Sequence, residues 1–271
     1  MIITGIGNTG GIGITTLIAN FALYLINSGK DNIYWLSLSE LIPPLFYNEE
    51  AKWLEFEKVY RQVPFWNKLN CSYCDACVKA CKTGAIAQYG DLYVIYSELC
   101  ISCDACIYAC KSNSIEYDSK IIGVIERNSF NDRIFRVKLN KREIFSSWHC
   151  NTIIKIMKRK LPEKATIFVD FPSGFRELWA EFFNISDKII FYTNDIDLWG
   201  MFYKSFSHDQ AEVVLVVDKD HFDEFYEKGF SFALAVPRSK EINQEAISGK
   251  MISDEEYLSI LNDMKYMLNI E

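Results

Sequence analysis

Residues 1–29 read MIITGIGNTGGIGITTLIANFALYLINSG, and their punctuation decides the fold. MIITGI has the length and apolarity of a short buried strand. GNTGGIG breaks that run with glycines. From Thr15 to Ser28 the apolar residues recur at helical spacing until Gly29 closes the segment. The rest of the chain repeats this strand–turn–helix rhythm. NIYWLSL (32–38), ATIFVD (165–170), KIIFYTN (188–194), EVVLVVD (212–218) and SFALAV (231–236) read as strands, and IIGVIE (121–126) and RIFRVKL (133–139) as an alternating pair. Residues 146–160 and 254–269 read as helices, the latter with Ser253 as N-cap and Glu256 completing a capping box. Strands alternating with helices imply an α/β fold, a doubly wound and mostly parallel sheet. Ligands of such sheets bind at the carboxyl ends of the strands.

Between the second strand and IIGVIE stands a different kind of sequence. CSYCDACVKAC (71–81) and CISCDACIYAC (100–110) hold eight of the nine cysteines, and each reads C-x2-C-x2-C-x3-C. That is the spacing of bacterial-type ferredoxins with two [4Fe–4S] clusters, in which the fourth cysteine of each run ligates the other cluster. One cluster is therefore assigned Cys71, Cys74, Cys77 and Cys110, and the second Cys100, Cys103, Cys106 and Cys81. Zinc sites use paired C-x2-C knuckles without the third cysteine and the x3 step. Disulfides would suit a short secreted chain, and MIITGIGNTGG lacks the basic region of a signal peptide. The two runs also form an internal repeat: besides the cysteines, Asp75/Asp104, Ala76/Ala105 and Ala80/Ala109 coincide. Short strands are expected after each, at Leu92–Tyr96 and Ser114–Tyr117. Lys82 and Lys111 stand where a proline usually follows the fourth cysteine, and their charge favours the reduced clusters.

The repeat occupies residues 60–118, an α+β ferredoxin-type insert. Residues 1–59 and 119–271 make up the larger α/β domain. Composition is that of a globular chain, 49% hydrophobic and 24% charged, and the net charge of −7 argues against a nucleic-acid partner. No apolar run reaches membrane-spanning length. Thiolate-ligated clusters imply a reducing cytoplasm and anaerobic metabolism. In the insert Arg61, Lys68, Lys79, Lys82 and Lys111 nearly balance Asp75, Asp91, Glu98, Asp104, Glu116 and Asp118, which suits docking on a surface. Cys150, in WHC, reads as a small buried hydrophobe, and His149 beside it as a surface or core histidine.

With these parts in order, the chain resembles the MinD/ParA-type P-loop ATPases and the nitrogenase iron protein, in the variety that carries an inserted ferredoxin domain. NTGGIGITT (8–16) is similar to the family's phosphate loop, G-K-G-G-x-G-K-T-T. VDFPSG (169–174) resembles its switch II, D-x-P-P-G, and WLSLSELIPP (35–44) sits where its switch I belongs. AVPRSKEINQEAISGK (235–250) is similar to the closing segment over the base pocket. The resemblance implies a nucleotide and Mg²⁺ site built from Gly10, Gly11, Gly13, Thr15, Thr16 and Asp170, with Pro172 and Gly174 following.

The departures bear on chemistry. Ile14 occupies the phosphate-loop lysine position, Thr9 the signature lysine position, and Asn8 the first glycine. Ser37 and Ser39 stand where switch I has aspartates. Phosphoryl transfer rests on charge stabilisation, and these cations are gone. The chain is therefore expected not to hydrolyse ATP by itself and to carry electrons through its clusters. A redox partner protein is expected, together with a homodimer or a heterodimer with a MinD-like ATPase paralogue whose nucleotide state could gate delivery. ATP-gated electron transfer within this chain and cluster delivery to apo-proteins are the competing readings. A glycine turn with no ligand is the plainer reading of GGIG.

Overall fold

The computed structural model describes residues 1–11, 13–141, 143, 145–171, 179–205 and 211–270. Strands β1 (Ile2–Gly7), β2 (Ile33–Ser37), β3 (Trp53–Trp66), β6 (Ile115–Asn128), β7 (Ile134–Leu139), β8 (Thr166–Asp170), β9 (Lys188–Tyr192), β10 (Glu212–Asp218) and β11 (Leu234–Val236) form one sheet. Its order is β11-β10-β9-β1-β8-β2-β7-β6-β3. From β11 to β7 every pairing is parallel; β6 against β7 and β3 against β6 are antiparallel. Helices α1 (Ile14–Asn27), α4 (Ser147–Lys160), α5 (Trp179–Ile185), α6 (Ile196–Ser205), α7 (Phe222–Glu227), α8 (Lys240–Ile247) and α9 (Glu255–Met267) cover the sheet.

The two faces bury different sets of residues, because side chains alternate along each strand. Ile3 and Phe168 face Leu17, Phe21, Tyr257 and Leu261 of α1 and α9. Ile2, Ile167 and Val169 face Ile153 and Met157 of α4, Phe182 of α5 and Trp199 of α6. A Cβ at Gly5 would come within 2.9 Å of Ile18 and 3.1 Å of Ile14, so only glycine lets α1 lie this close to β1.

IIGVIE is the second half of a long strand and has no separate existence. The strand starts at Ile115, runs through the exposed residues Glu116, Tyr117, Asp118 and Ser119, and β3 pairs with it from Trp53↔Asn128 to Trp66↔Ile115. This two-stranded ribbon leaves the main sheet and carries the cysteine runs at its far end. The expected boundaries at 59/60 and 118/119 fall inside these strands. Beyond them lie α2 (Ala76–Ala80), the hairpin of β4 (Ile86–Tyr89) and β5 (Leu92–Ile95), and α3 (Ala105–Ala109). The start of α9 needs a correction. Asp254 is its N-cap, its carboxylate accepting from Tyr257 N at 2.9 Å, whereas Ser253 donates its hydroxyl to Glu245 at 2.7 Å and is spent on that bond. Among the described residues no helix is long and apolar enough to cross a membrane.

Candidate functional site

The two cysteine runs fold alike. Tyr73 and Asp75 in the first, and Ser102 and Asp104 in the second, have φ between 53 and 60°, left-handed conformations uncommon for non-glycine residues. These turns wind each loop around its own sulfurs. Tyr73 N donates to Cys71 Sγ, and Ser102 N to Cys100 Sγ, both at 3.4 Å. The short helices α2 and α3 then return Cys81 and Cys110 across the insert. Cys110 lies in the electrostatic field of Cys74 and Cys77, and Cys81 in that of Cys100 and Cys106, so each fourth cysteine neighbours the other run.

The protein environment divides the thiols. Burial raises Cys77 and Cys100 above the ordinary thiol value and pushes Cys106 up to about 11. Burial acts the same way on Cys110, but the Ser114 and Ser112 hydroxyls and the Ser114 N–H outweigh it and bring the thiol to about 7. Ser114 Oγ lies 3.1 Å from that sulfur, and Ser114 N donates to it at 3.2 Å. Cys74 and Cys103 are the exposed members of their sets. Trp66, Tyr93, Ile86 and Ile115 pack around the first set, with Trp66 and Tyr93 edge to face at 5.1 Å. Among the described residues no three His, Cys, Asp or Glu side chains converge on a point that would hold a single ion. The donor set is instead eight thiols in two groups, with amide and hydroxyl donors aimed at sulfur and apolar walls. Such a set fits the thiolate ligation of [4Fe–4S] clusters.

After the carboxyl end of β1, Gly11 and Gly13 have φ of 79 and 95°, Gly10 and Gly11 are exposed, and the carbonyl of Gly13 starts α1. The first turn of α1 has no side-chain cap and no acid. β2 and β8 end together at Ser37 and Asp170, in register with Gly5 of β1, which runs on to Gly7. Thr15 donates its hydroxyl to Asp170 at 2.7 Å. Burial pushes the Asp170 carboxyl up to about 7, against the opposing pull of the Thr15 hydroxyl. Thr16 lines the cavity beside the loop. Pro172 and Gly174 lie outside the described residues.

The side chains that would meet a nucleotide have other work. Ile14 is buried in the core between α1 and β1. Ser37 donates to the carbonyl of Leu41 at 2.6 Å, and Ser39 lies 3.2 Å from it within the same turn. The sequence reading missed Arg238. Its guanidinium stands 3.6 Å from where a Gly13 Cβ would be, donates to Asp218 at 2.7 Å, and lies 3.5 Å from the Tyr192 hydroxyl. Tyr192 and Asn194 donate to the same carboxylate. Burial acts to raise Asp218, but these three donors hold it below the usual carboxylate range. The cavity left among Gly13, Thr16, Arg238, Asn243 and Tyr257 is about 60 Å³, against roughly 300 Å³ or more for ordinary ligand pockets. No motif announced this cluster; only the fold brings the ends of β9, β10 and β11 together.

A family model described as a 4Fe-4S binding domain matches residues 64–87. The whole chain superposes on MinD, a cell division protein of Aquifex aeolicus, at TM-score 0.50 and 11% identity, covering 100% of this chain and 98% of that one. The septum site-determining protein MinD of Pyrococcus horikoshii OT3, complexed with Mg-ADP, superposes at 0.49 and 12% identity over 99% and 97% of the two chains. A ParA family ATPase from Chlorobium tepidum TLS does so at 0.46 and 14% identity over 98% and 97%. No curated protein matches the chain. The main domain has the fold of the MinD/ParA P-loop ATPases, and a 4Fe–4S domain is inserted in it.

Proposed function

We propose that this protein is an electron-transfer protein, carrying two [4Fe–4S] clusters on a MinD-like scaffold that does not turn over ATP. The observation that carries the reading is the crossed arrangement of the fourth cysteines, Cys110 beside the first run and Cys81 beside the second. Cys71, Cys74, Cys77 and Cys110 hold one cluster, and Cys100, Cys103, Cys106 and Cys81 the other. When bound, each cluster takes up and releases one electron. The polypeptide's part is to shield them behind Trp66, Tyr93 and Ile115, to donate N–H and O–H bonds that stabilise charge on sulfur, and to leave Cys74 and Cys103 at the surface as points of electron entry and exit. A redox partner protein in a reducing cytoplasm would dock there. The fold also suits a dimer, either of this chain or with an ATPase paralogue that supplies the missing cations.

ATP hydrolysis is disfavoured because Thr9 and Ile14 stand at the lysine positions, with Ile14 buried in the core, and because the cavity beside Arg238 is about 60 Å³. One observation favours the alternative, nucleotide gating within this chain: Thr15 and Asp170 still stand together at 2.7 Å, the pair that would bind Mg²⁺. Iron and acid-labile sulfide analysis of anaerobically purified protein, with EPR after reduction, tests the proposal. About eight irons and two interacting signals support it, since each cluster brings roughly four. A single zinc or iron per chain would overturn it.

A further inference from the structure

The two cluster sites are near-copies in sequence, yet one has a buried charge pair beside it. Arg61, in β3, is 4% exposed. It donates to the carbonyl of Ser97 at 2.8 Å, and that carbonyl also accepts the N–H of Cys100 at 3.2 Å. The next residue of β3 holds the other side of the same loop: the carbonyl of Gln62 accepts the Ser102 hydroxyl at 2.7 Å, and Ser102 N donates to Cys100 Sγ. The guanidinium is thus one peptide group away from a ligand that is itself buried. Its positive charge opposes the effect of burial on Cys100. In the first run the repeat places Lys68 where Ser97 stands. Its carbonyl accepts from Cys71 N at 3.3 Å, and among the described residues no cation donates to it.

Arg61 is paired with an acid from the main domain. Its Nη2 lies 2.8 Å from Glu143 Oε2 and donates to Oε1 at 3.0 Å, and both side chains are at most 5% exposed. Behind Glu143 stands His149. Its Nδ1 accepts from Ser146 N at 3.1 Å, so its hydrogen sits on Nε2, 3.9 Å from Glu143. Burial, then the charge of Arg61, keeps this imidazole neutral, its pKa pushed down to about 4. The neighbourhood therefore holds one buried cation and one buried anion. Lys120 and Glu98 also meet near Ser97, at 3.5 Å, but they are 40% and 32% exposed, where water screens a pair. Lys82 and Lys111 are exposed as well.

We infer that the Arg61–Glu143 pair sets the reduction potential of the cluster at Cys81, Cys100, Cys103 and Cys106 apart from that of its twin, and that Glu143 thereby gives the ATPase-like domain a hold on the insert's redox chemistry. The inference rests on the two-cluster reading. Reduction adds negative charge, so a buried cation raises the potential and the acid behind it restrains that rise. Arg61 and Glu143 are positioning residues: neither touches sulfur.

The test is an EPR-monitored redox titration of the wild type, Glu143→Gln, Arg61→Gln and Arg61→Lys, with Cys103→Ser marking which signal belongs to this cluster. Glu143→Gln is expected to raise that potential and Arg61→Gln to lower it, each by about tenfold in the reduction equilibrium, or about 59 mV for one electron. Arg61→Lys should stay near the wild type, and the other cluster should not move. If Arg61→Gln fails to assemble its clusters, the Glu143→Gln and Arg61→Lys shifts decide. Unmoved potentials, or equal shifts in both clusters, would overturn the inference while leaving two clusters in place. A wild type with fewer than two clusters would instead remove the reading beneath it.

Discussion

The cysteine insert and the phosphate loop use backbone in the same way and differ in their side chains. Both bend the chain through positive φ, at Tyr73 and Ser102 in one and at Gly11 and Gly13 in the other. In the insert the eight thiols stand in two groups beside those turns. In the loop the groups that would act on a phosphate are replaced by core and by an internal ion pair. Glycines and a helix N-terminus shape an anion cradle, but chemistry needs charge there, and here Arg238 and Asp218 neutralise one another.

The comparison breaks most visibly at iron. Cys77→Ser or Cys106→Ser should cost one cluster and leave the other, so iron content should fall by about half. Retention of all iron, or loss of all of it with the fold intact, would mean that the crossed ligand sets are wrong. Hydrolysis comes next. The purified chain should show no turnover of MgATP above background, and Arg238→Ala, though it opens the cavity, should add none, since no lysine takes over. Turnover by the wild type would show that other groups replace the missing cations.

A smaller effect separates the phosphate loop's past geometry from its present packing. Ile14→Ala should destabilise the main domain by about 2–5 kcal/mol in chemical denaturation, as for other buried aliphatic truncations. A cost near zero would mean that Ile14 faces a ligand site and is not core. The smallest effect lies at the joint between the regions. His149 has its pKa lowered from 6.5 to about 4 by burial and by Arg61. Between those values the unfolded chain binds more protons, so the wild type loses stability as pH falls through that window. With Glu143 and Arg61 facing it, His149→Gln should flatten this part of the stability–pH curve. An unchanged slope would mean that the imidazole is not held neutral.

Much of this was legible before any coordinates. The strand–glycine–helix opening, the repeat of cysteines and the order of strands gave the α/β sheet and its insert, because periodicity and thiol spacing are local properties. What escaped were contacts made by distant residues. Arg238 reads as an ordinary basic residue after Pro237, and only the parallel packing of β9, β10 and β11 brings it to Asp218 and the loop. Arg61 and Glu143 are 82 residues apart, and neither carries a motif. The cap of α9 is one residue later than the sequence suggests because Ser253 and Asp254 are both good caps, and Glu245, remote in sequence, claims the serine. Ile14 was visible as a departure, but its role as core followed only from its contact with Gly5.

This chain is expected to move electrons through two clusters without reference to nucleotide at its own loop. An EPR-monitored redox titration of the anaerobically purified protein, run with and without saturating MgATP, tests it most directly. Two one-electron steps are expected, with potentials that are the same in both titrations. Fewer than two clusters, or potentials that move when MgATP is added, would contradict it.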